Sequence, residues 1–259
     1  MFQSVEQTPL YKLVARQIAD LIATRKLLPE SKMPPERELC ESLNVSRATI
    51  REAMIVLEIT GFVENRFGAG MTVAAMPPAR GLIEEVDGPG PFELLEARLI
   101  VEGEIASMAA ARATPEVISK LRDLTDAMER ETPDQFWGDN ADEQFHLTIA
   151  RAAGNLALER ALREFWTPRL RTPMWTSMHH RVPIAEMKSA LVDDHRRIVD
   201  ALTARDGDAA RAAMRAHIAR FSRQLLELWD VSGSSSEQAA PRPSESFLRA
   251  IFENEMQPA

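Results

Sequence analysis

The chain has 259 residues, 45% of them hydrophobic and 27% charged, with a single cysteine and a net charge of −8. That length suits two domains, that balance can bury ordinary cores, and Cys40 alone excludes a disulfide framework or a cysteine-rich zinc site. Residues 1–75 carry nine Lys/Arg and nine Asp/Glu, so the whole negative excess lies in the remainder, which is expected to avoid nucleic acid. The start "MFQSVEQTPLY" is too polar for a signal peptide. No apolar run approaches the ~18 residues of a membrane span, so the expected location is the cytoplasm and no membrane partner is expected.

The first predicted element is an amphipathic helix in "PLYKLVARQIADLIATRKL" (9–27), with Leu13, Val14, Ile18, Leu21 and Ile22 on one stripe. "MPPERELCESLNVSRATIREAMIVLEITG" (33–61) predicts a short helix over about 36–43 that ends at Asn44. A second helix follows, N-capped by Ser46, with Ile50, Met54 and Leu57 facing inward and Gly61 at its end. "FVENRFGAGMTVA" (62–74) reads as two short strands around a glycine turn. Its GxG lacks the third glycine and following helix of a nucleotide fingerprint. Helix, helix-turn-helix and hairpin together make a winged helix over residues 1–75. The second helix of the turn would enter a DNA major groove, where Arg47, Arg51 and Thr49 can reach base edges or phosphates. Gly68 and Gly70 would let the wing backbone approach the minor groove or a phosphate. Helical trios of this kind also serve as protein-interaction domains.

Prolines and glycines concentrate around residues 76–91, which reads as a linker. Residues 92–231 then read as helical. Thr114 and Pro115 suit the start of a helix carrying Ile118, Leu121, Leu124 and Met128, and Gly154 suits the end of the helix that begins near "DEQFH". Leu191, His195, Ile198 and Leu202 form one stripe. After Gly207, with Asp208 as the expected N-cap, Met214, His217, Phe221 and Leu225 form another. No alternating run supplies a sheet, so the expected class is mainly α, with the winged helix followed by an antiparallel all-helical bundle. Residues 232–259 read as a flexible polar tail with a short apolar end, Phe247 to Phe252.

The five histidines are His146, His179, His180, His195 and His217. Asp142 and His146, four apart in "DEQFH" (142–146), lie about 40° from each other around a helix and could bind one ion. A lone histidine on an apolar face is usually a satisfied core residue. Three on separate helices, one paired with an aspartate, favour a shared site, because burying unrelated imidazoles demands three separate hydrogen-bonding solutions. An Asp/His₃ set suits Zn²⁺, with Ni²⁺ or Mn²⁺ as alternatives, and leaves positions for water or a carboxylate. His179 and His180 read as either exposed or pocket-facing. A metal-dependent enzyme would need a nearby general base, but Glu143 points about 100° away from Asp142 and about 60° away from His146. No HExxH, GxSxG or phosphate loop occurs. A sensor is therefore the expected reading, with a metal-dependent enzyme acting on sugar acids, or a regulator with a purely structural metal and a different carboxylate effector, as alternatives.

"MPPERELCESLNVSRATIREAM" with "LEITGFVENRFGAGMTV" resembles the DNA-binding domain of GntR-type bacterial regulators over about residues 8–75. The resemblance implies operator contacts from Arg37, Arg47, Arg51 and Gly68. One departure is Pro35, where the family usually has a serine N-cap. "ELLEARLIVEGEIASMAAARAT" (93–114), "DEQFHLTIARAAGN" (142–155) and "DDHRRIVDALTARDGDAARAAMRAHI" (193–218) resemble the helical effector domain of the FadR branch, the FCD domain. That resemblance implies Asp142, His146, His195 and His217 as metal ligands, and Arg98 as the partner of an effector carboxylate. Arg98 could instead bridge to Glu102 on its own helix, a pair usually worth under ~1 kcal/mol. "PFELLEARLIVEGEIA", "QFHLTIA", "TPMWTSMHH" and "FLRAIFE" are most similar to regulators of hexuronate catabolism, which implies a uronate or its first keto-sugar-acid product as effector. Asn155 and Trp175 join Arg98 in the expected effector set, Trp175 by stacking on a sugar face. The implied whole is a homodimeric repressor on a palindromic operator, released when the metal-held acid binds.

Overall fold

The computed structural model describes residues 8–66, 70–78, 88–132, 141–175 and 184–228, together with 83, 86, 135 and 182. Gly68, His179, His180 and the expected tail lie outside the described residues. The N-terminal part holds α1 (Leu10–Ala23), α2 (Glu36–Leu43), α3 (Arg47–Ile59), β1 (Val63–Arg66) and β2 (Gly70–Val73). Ser46 caps α3: its Oγ accepts the Thr49 N–H at 3.1 Å. Pro35 gives α2 no side-chain cap, and Asn44 closes that helix in the left-handed conformation at φ 51°.

The strands pair antiparallel from Val63↔Val73 to Arg66↔Gly70. Residues 30–33, which show no strand pattern in the sequence, lie along the other edge of β2 through an antiparallel Lys32↔Thr72 bridge. Met33 N–H donates to the Met71 carbonyl there, and Val73 N–H to that of Ser31, both at 2.9 Å. The helix α3 is buried well beyond its expected stripe. Ile55 and Val56 are as inaccessible as Ile50, Met54 and Leu57, because α1, α2, β1 and a later helix surround it.

The C-terminal part is α4 (Pro91–Ala110), α5 (Pro115–Arg130), α6 (Ala141–Ala152), α7 (Leu156–Arg171), α8 (Ile184–Thr203) and α9 (Gly207–Leu228). Apolar side chains are spread around α4 rather than confined to one face, and such a helix belongs in the centre of a bundle. It packs along α9 and also touches α6, α7 and α8, while α5 lies on α6 and α8. Thr114 caps α5 as expected, its Oγ1 accepting the Val117 N–H at 3.4 Å. On that helix Thr125 rather than Leu124 completes the fully buried stripe. The cap of α9 is Asp206, not the expected Asp208. The helix already begins at Gly207, so the Asp206 carboxylate is the one placed to accept the Ala209 N–H, at 2.9 Å.

The buried apolar side chains form one continuous core from Tyr11 to Leu226. Ile83 and Val86, inside the stretch expected to be a linker, belong to it. Among the described residues no helix is long and apolar enough to cross a membrane.

Candidate metal centre and nucleic-acid interface

Three helices bring four side chains to one buried point. Asp142 sits in the first turn of α6 and His146 one turn later; His195 comes from α8 and His217 from α9. All four are buried, and their potential ligand atoms lie within 4.8 Å of one another. Asp142 Oδ1 is 3.0 Å from His195 Nε2 and 3.5 Å from His146 Nε2. Ligand atoms about 2.0–2.2 Å from one zinc ion stand about 3.0–3.5 Å apart, so these spacings suit a shared ion.

The proton positions point the same way. His195 Nδ1 donates to the Leu191 carbonyl at 2.7 Å, and a carbonyl can only accept, so a neutral His195 carries a lone pair on Nε2. His146 Nδ1 faces the Glu102 carboxylate, which leaves its Nε2 in the same state. These two Nε2 atoms and His217 Nδ1 are buried without a hydrogen-bond partner. Two lone-pair-bearing atoms held 3.0 Å apart repel each other unless a proton or a cation lies between them. Burial, and then any positive charge on His195 or His146, hold the His217 imidazole well below its usual pKa, so it stays neutral and able to ligate. Burial opposes a charge on His146, but Glu102 and Asp142 outweigh it and raise its pKa, so without an ion a proton on Nε2 takes the place the ion would hold. The donor set therefore fits a borderline divalent ion.

Glu102 is the residue that sequence reading undervalued. It is 1% exposed and takes Arg98 Nε at 2.5 Å with one oxygen and His146 Nδ1 with the other. Burial pushes its carboxyl upward, yet Arg98 and His146 together hold it below the ordinary range. The Arg98–Glu102 bridge considered from spacing is thus present, but buried and tied to a histidine of the cluster. Little in the sequence singled it out, because Glu102 is one of four glutamates on α4 and only its place four residues after Arg98 sets it apart. Trp166, from α7, lies under Arg98 with its ring centroid 4.1 Å from the guanidinium carbon.

Beside the cluster is a cavity lined by Leu95, Arg98, Asp142, Leu191, His217, Ile218 and Phe221. In this conformation it has room for about one water molecule. Of the three expected effector residues, only Arg98 lines it. Asn155 is instead the cap of α7: its Oδ1 accepts the N–H groups of Ala157 and Leu158 at 3.1 and 3.3 Å. Trp175 is 1% exposed within the core and contributes no wall to this cavity.

In the N-terminal part, α2 and α3 carry the described members of the expected DNA-facing set in two layers. Arg37 is exposed and paired with Glu41, and Arg47 is partly exposed beside Glu36 at 3.7 Å. Ser46 and Thr49 share a 2.9 Å hydrogen bond at the helix start. Arg51, expected to reach base edges or phosphates, is 5% exposed, and its Nε donates to the buried Glu36 carboxylate at 3.1 Å. Both arginines share an edge of α3, but Arg51 is one turn deeper, where α2 covers it.

Comparison with known proteins agrees with both halves. Residues 10–73 match the family model of bacterial regulatory proteins of the gntR family, and residues 93–220 match the FCD domain. The Uxu operon transcriptional regulator of Escherichia coli (strain K12) is 38% identical over 231 residues, covering 85% of this chain and 88% of that protein. The Uxu operon regulator of Haemophilus influenzae is 36% identical over 203 residues, covering 77% and 76%. The Exu regulon transcriptional regulator of Escherichia coli (strain K12) is 35% identical over 218 residues, covering 82% and 83%. Regulators of this kind are not enzymes, so the catalytic alternative falls. The chain belongs to the GntR family of bacterial transcriptional regulators, with a winged helix-turn-helix for DNA and an FCD domain behind it.

Proposed function

We propose that this protein is a metal-dependent sensor of a hexuronate, or of its first keto-sugar-acid product, that represses hexuronate-utilisation genes as a homodimer on a palindromic operator. The observation that carries the reading is the convergence of Asp142, His146, His195 and His217 beside a cavity walled by Arg98. The choice of effector is supported by the likeness to regulators named for the Uxu operon and the Exu regulon. The four side chains would hold a divalent ion, zinc first, with nickel or manganese as alternatives. When bound, that ion supplies a Lewis-acidic seat for a carboxylate or hydroxyl of the acid. Arg98, fixed by Glu102 and stacked on Trp166, presents a cation from the α4 side of the cavity. On the DNA side, Arg37, Arg47 and Thr49 at the α2–α3 face, with Gly68 of the wing and Arg51 once released from Glu36, contact the operator.

The acid binds better to the conformation whose heads are misplaced on DNA, so it lowers operator affinity by linkage. The small size of the cavity favours a second reading, in which the metal is purely structural and a different carboxylate is the effector. A thermal-shift screen of glucuronate, galacturonate and their keto isomers, with and without a chelator, separates the two. A metal-dependent rise in melting temperature with a uronate supports the sensor; a response to none of these acids overturns the hexuronate assignment. His195→Ala is expected to lose metal and effector response while still binding operator DNA. An unchanged effector response in that variant removes the metal from the mechanism.

A further inference from the structure

The helix α4 supplies only half of a capping box, the Glu93 carboxylate accepting the Gly90 N–H at 2.9 Å. Its N-cap position is Gly90, which has no side chain to offer, and Pro91 follows. The N–H groups of Phe92 and Glu93 are those an N-cap side chain normally takes. Here both go to Oε1 of Glu52, at 2.7 and 3.3 Å. Glu52 belongs to α3, the helix that meets DNA, and is 2% exposed. The fit is close enough that a Cβ on Gly90 would lie 2.3 Å from the Glu52 carboxyl. A second tie runs from α1, where the Tyr11 hydroxyl donates to the Gly88 carbonyl at 2.6 Å.

The same α4 walls the cavity with Leu95 and Arg98 and holds His146 through Glu102. From Phe92 to Glu102 is ten residues, about 15 Å of continuous helix. A guest larger than a water molecule must displace a wall of the cavity, and α4 supplies one of them.

We propose that Glu52 is the positioning residue that couples the two domains: it caps α4 from the DNA-reading helix, so that displacement of α4 at the cavity re-aims α3. Burial, and then the neighbouring Glu93, push the Glu52 carboxyl up to about 8. At neutral pH the group is largely protonated, and one carbonyl-type oxygen accepts both amides. Glutamine reproduces that acceptor, whereas alanine removes it.

The inference rests on effector control for its functional readout, and one arm of the test does not. Full-length, metal-loaded protein is assayed for operator affinity with and without a saturating uronate that stabilises the wild type. Glu52→Ala is expected to reduce the uronate-induced change in operator Kd to within about two-fold while keeping the uronate thermal shift, and Glu52→Gln is expected to restore most of the change. Gly90→Ala, which crowds the carboxyl without altering it, should behave like Glu52→Ala. A wild-type-sized response in Glu52→Ala, or equal loss in Glu52→Gln, overturns the proposal. If no uronate binds the wild type, the effector reading fails and the second arm decides the coupling. Coupling is reciprocal, so operator DNA should slow amide exchange across residues 92–102 in the wild type and Glu52→Gln, but not in Glu52→Ala. Equal slowing in all three overturns the coupling regardless of effector.

Discussion

Glu102 shows how much a single carboxylate can organise when it is buried. One oxygen fixes Arg98, and the other sets the proton of His146 so that its far nitrogen is free to ligate. Groups that orient a metal-bound imidazole typically contribute 10–100-fold to metal affinity. Glu102→Gln is therefore expected to weaken metal binding by about that factor, measured by competition with a chromophoric chelator. Unchanged affinity would show that His146 is oriented by packing alone. The four candidate ligands were legible from the sequence because helical spacing and apolar stripes place side chains on known faces. Asn155 and Trp175 were not separable in that way. An asparagine after a helix-ending glycine is equally suited to capping and to ligand contact, and the structure shows it capping, through the N–H groups of Ala157 and Leu158.

At the scale of the element, α3 divides its work between two arginines four residues apart. Arg47 lies at the surface, while Arg51 neutralises Glu36 inside the joint between α2 and α3. Their variants should part accordingly. Arg47→Ala is expected to abolish operator binding with little loss of stability and intact effector binding. Arg51→Ala leaves a buried carboxylate poorly compensated, which costs about 3 kcal/mol, read as a lowered urea midpoint. Equal stability of the two variants would show that Glu36 gains nothing from Arg51. Pattern reading found α3 and α5 with their caps at Ser46 and Thr114, because caps and stripes are local. It missed residues 30–33 along β2, since that pairing depends on a partner forty residues away and carries no alternation of its own. It also placed the α9 cap at Asp208 instead of Asp206, because two aspartates around a glycine offer the same local chemistry.

For the whole molecule, the sequence suggested two domains separated by a proline-rich and glycine-rich stretch, and the family models cover two separate ranges. The packing joins them more tightly than that division implies. Ile83 and Val86 lie in a core that runs without a break from Tyr11 of α1 to Leu226 of α9. Composition does not reveal such continuity, because Leu82, Ile83 and Val86, set among prolines, glycines and acids, form no periodic pattern. A shared core has a thermal consequence. A scanning calorimeter should record one heat-absorption peak, with calorimetric and van't Hoff enthalpies in agreement. Stripping the metal should move that whole peak to lower temperature. Two separated peaks, with only one responding to chelator, would show that the halves melt independently. If the peak is single and shifts when an ion is stripped from the four side chains, the DNA-reading half draws part of its heat resistance from an ion that it never touches.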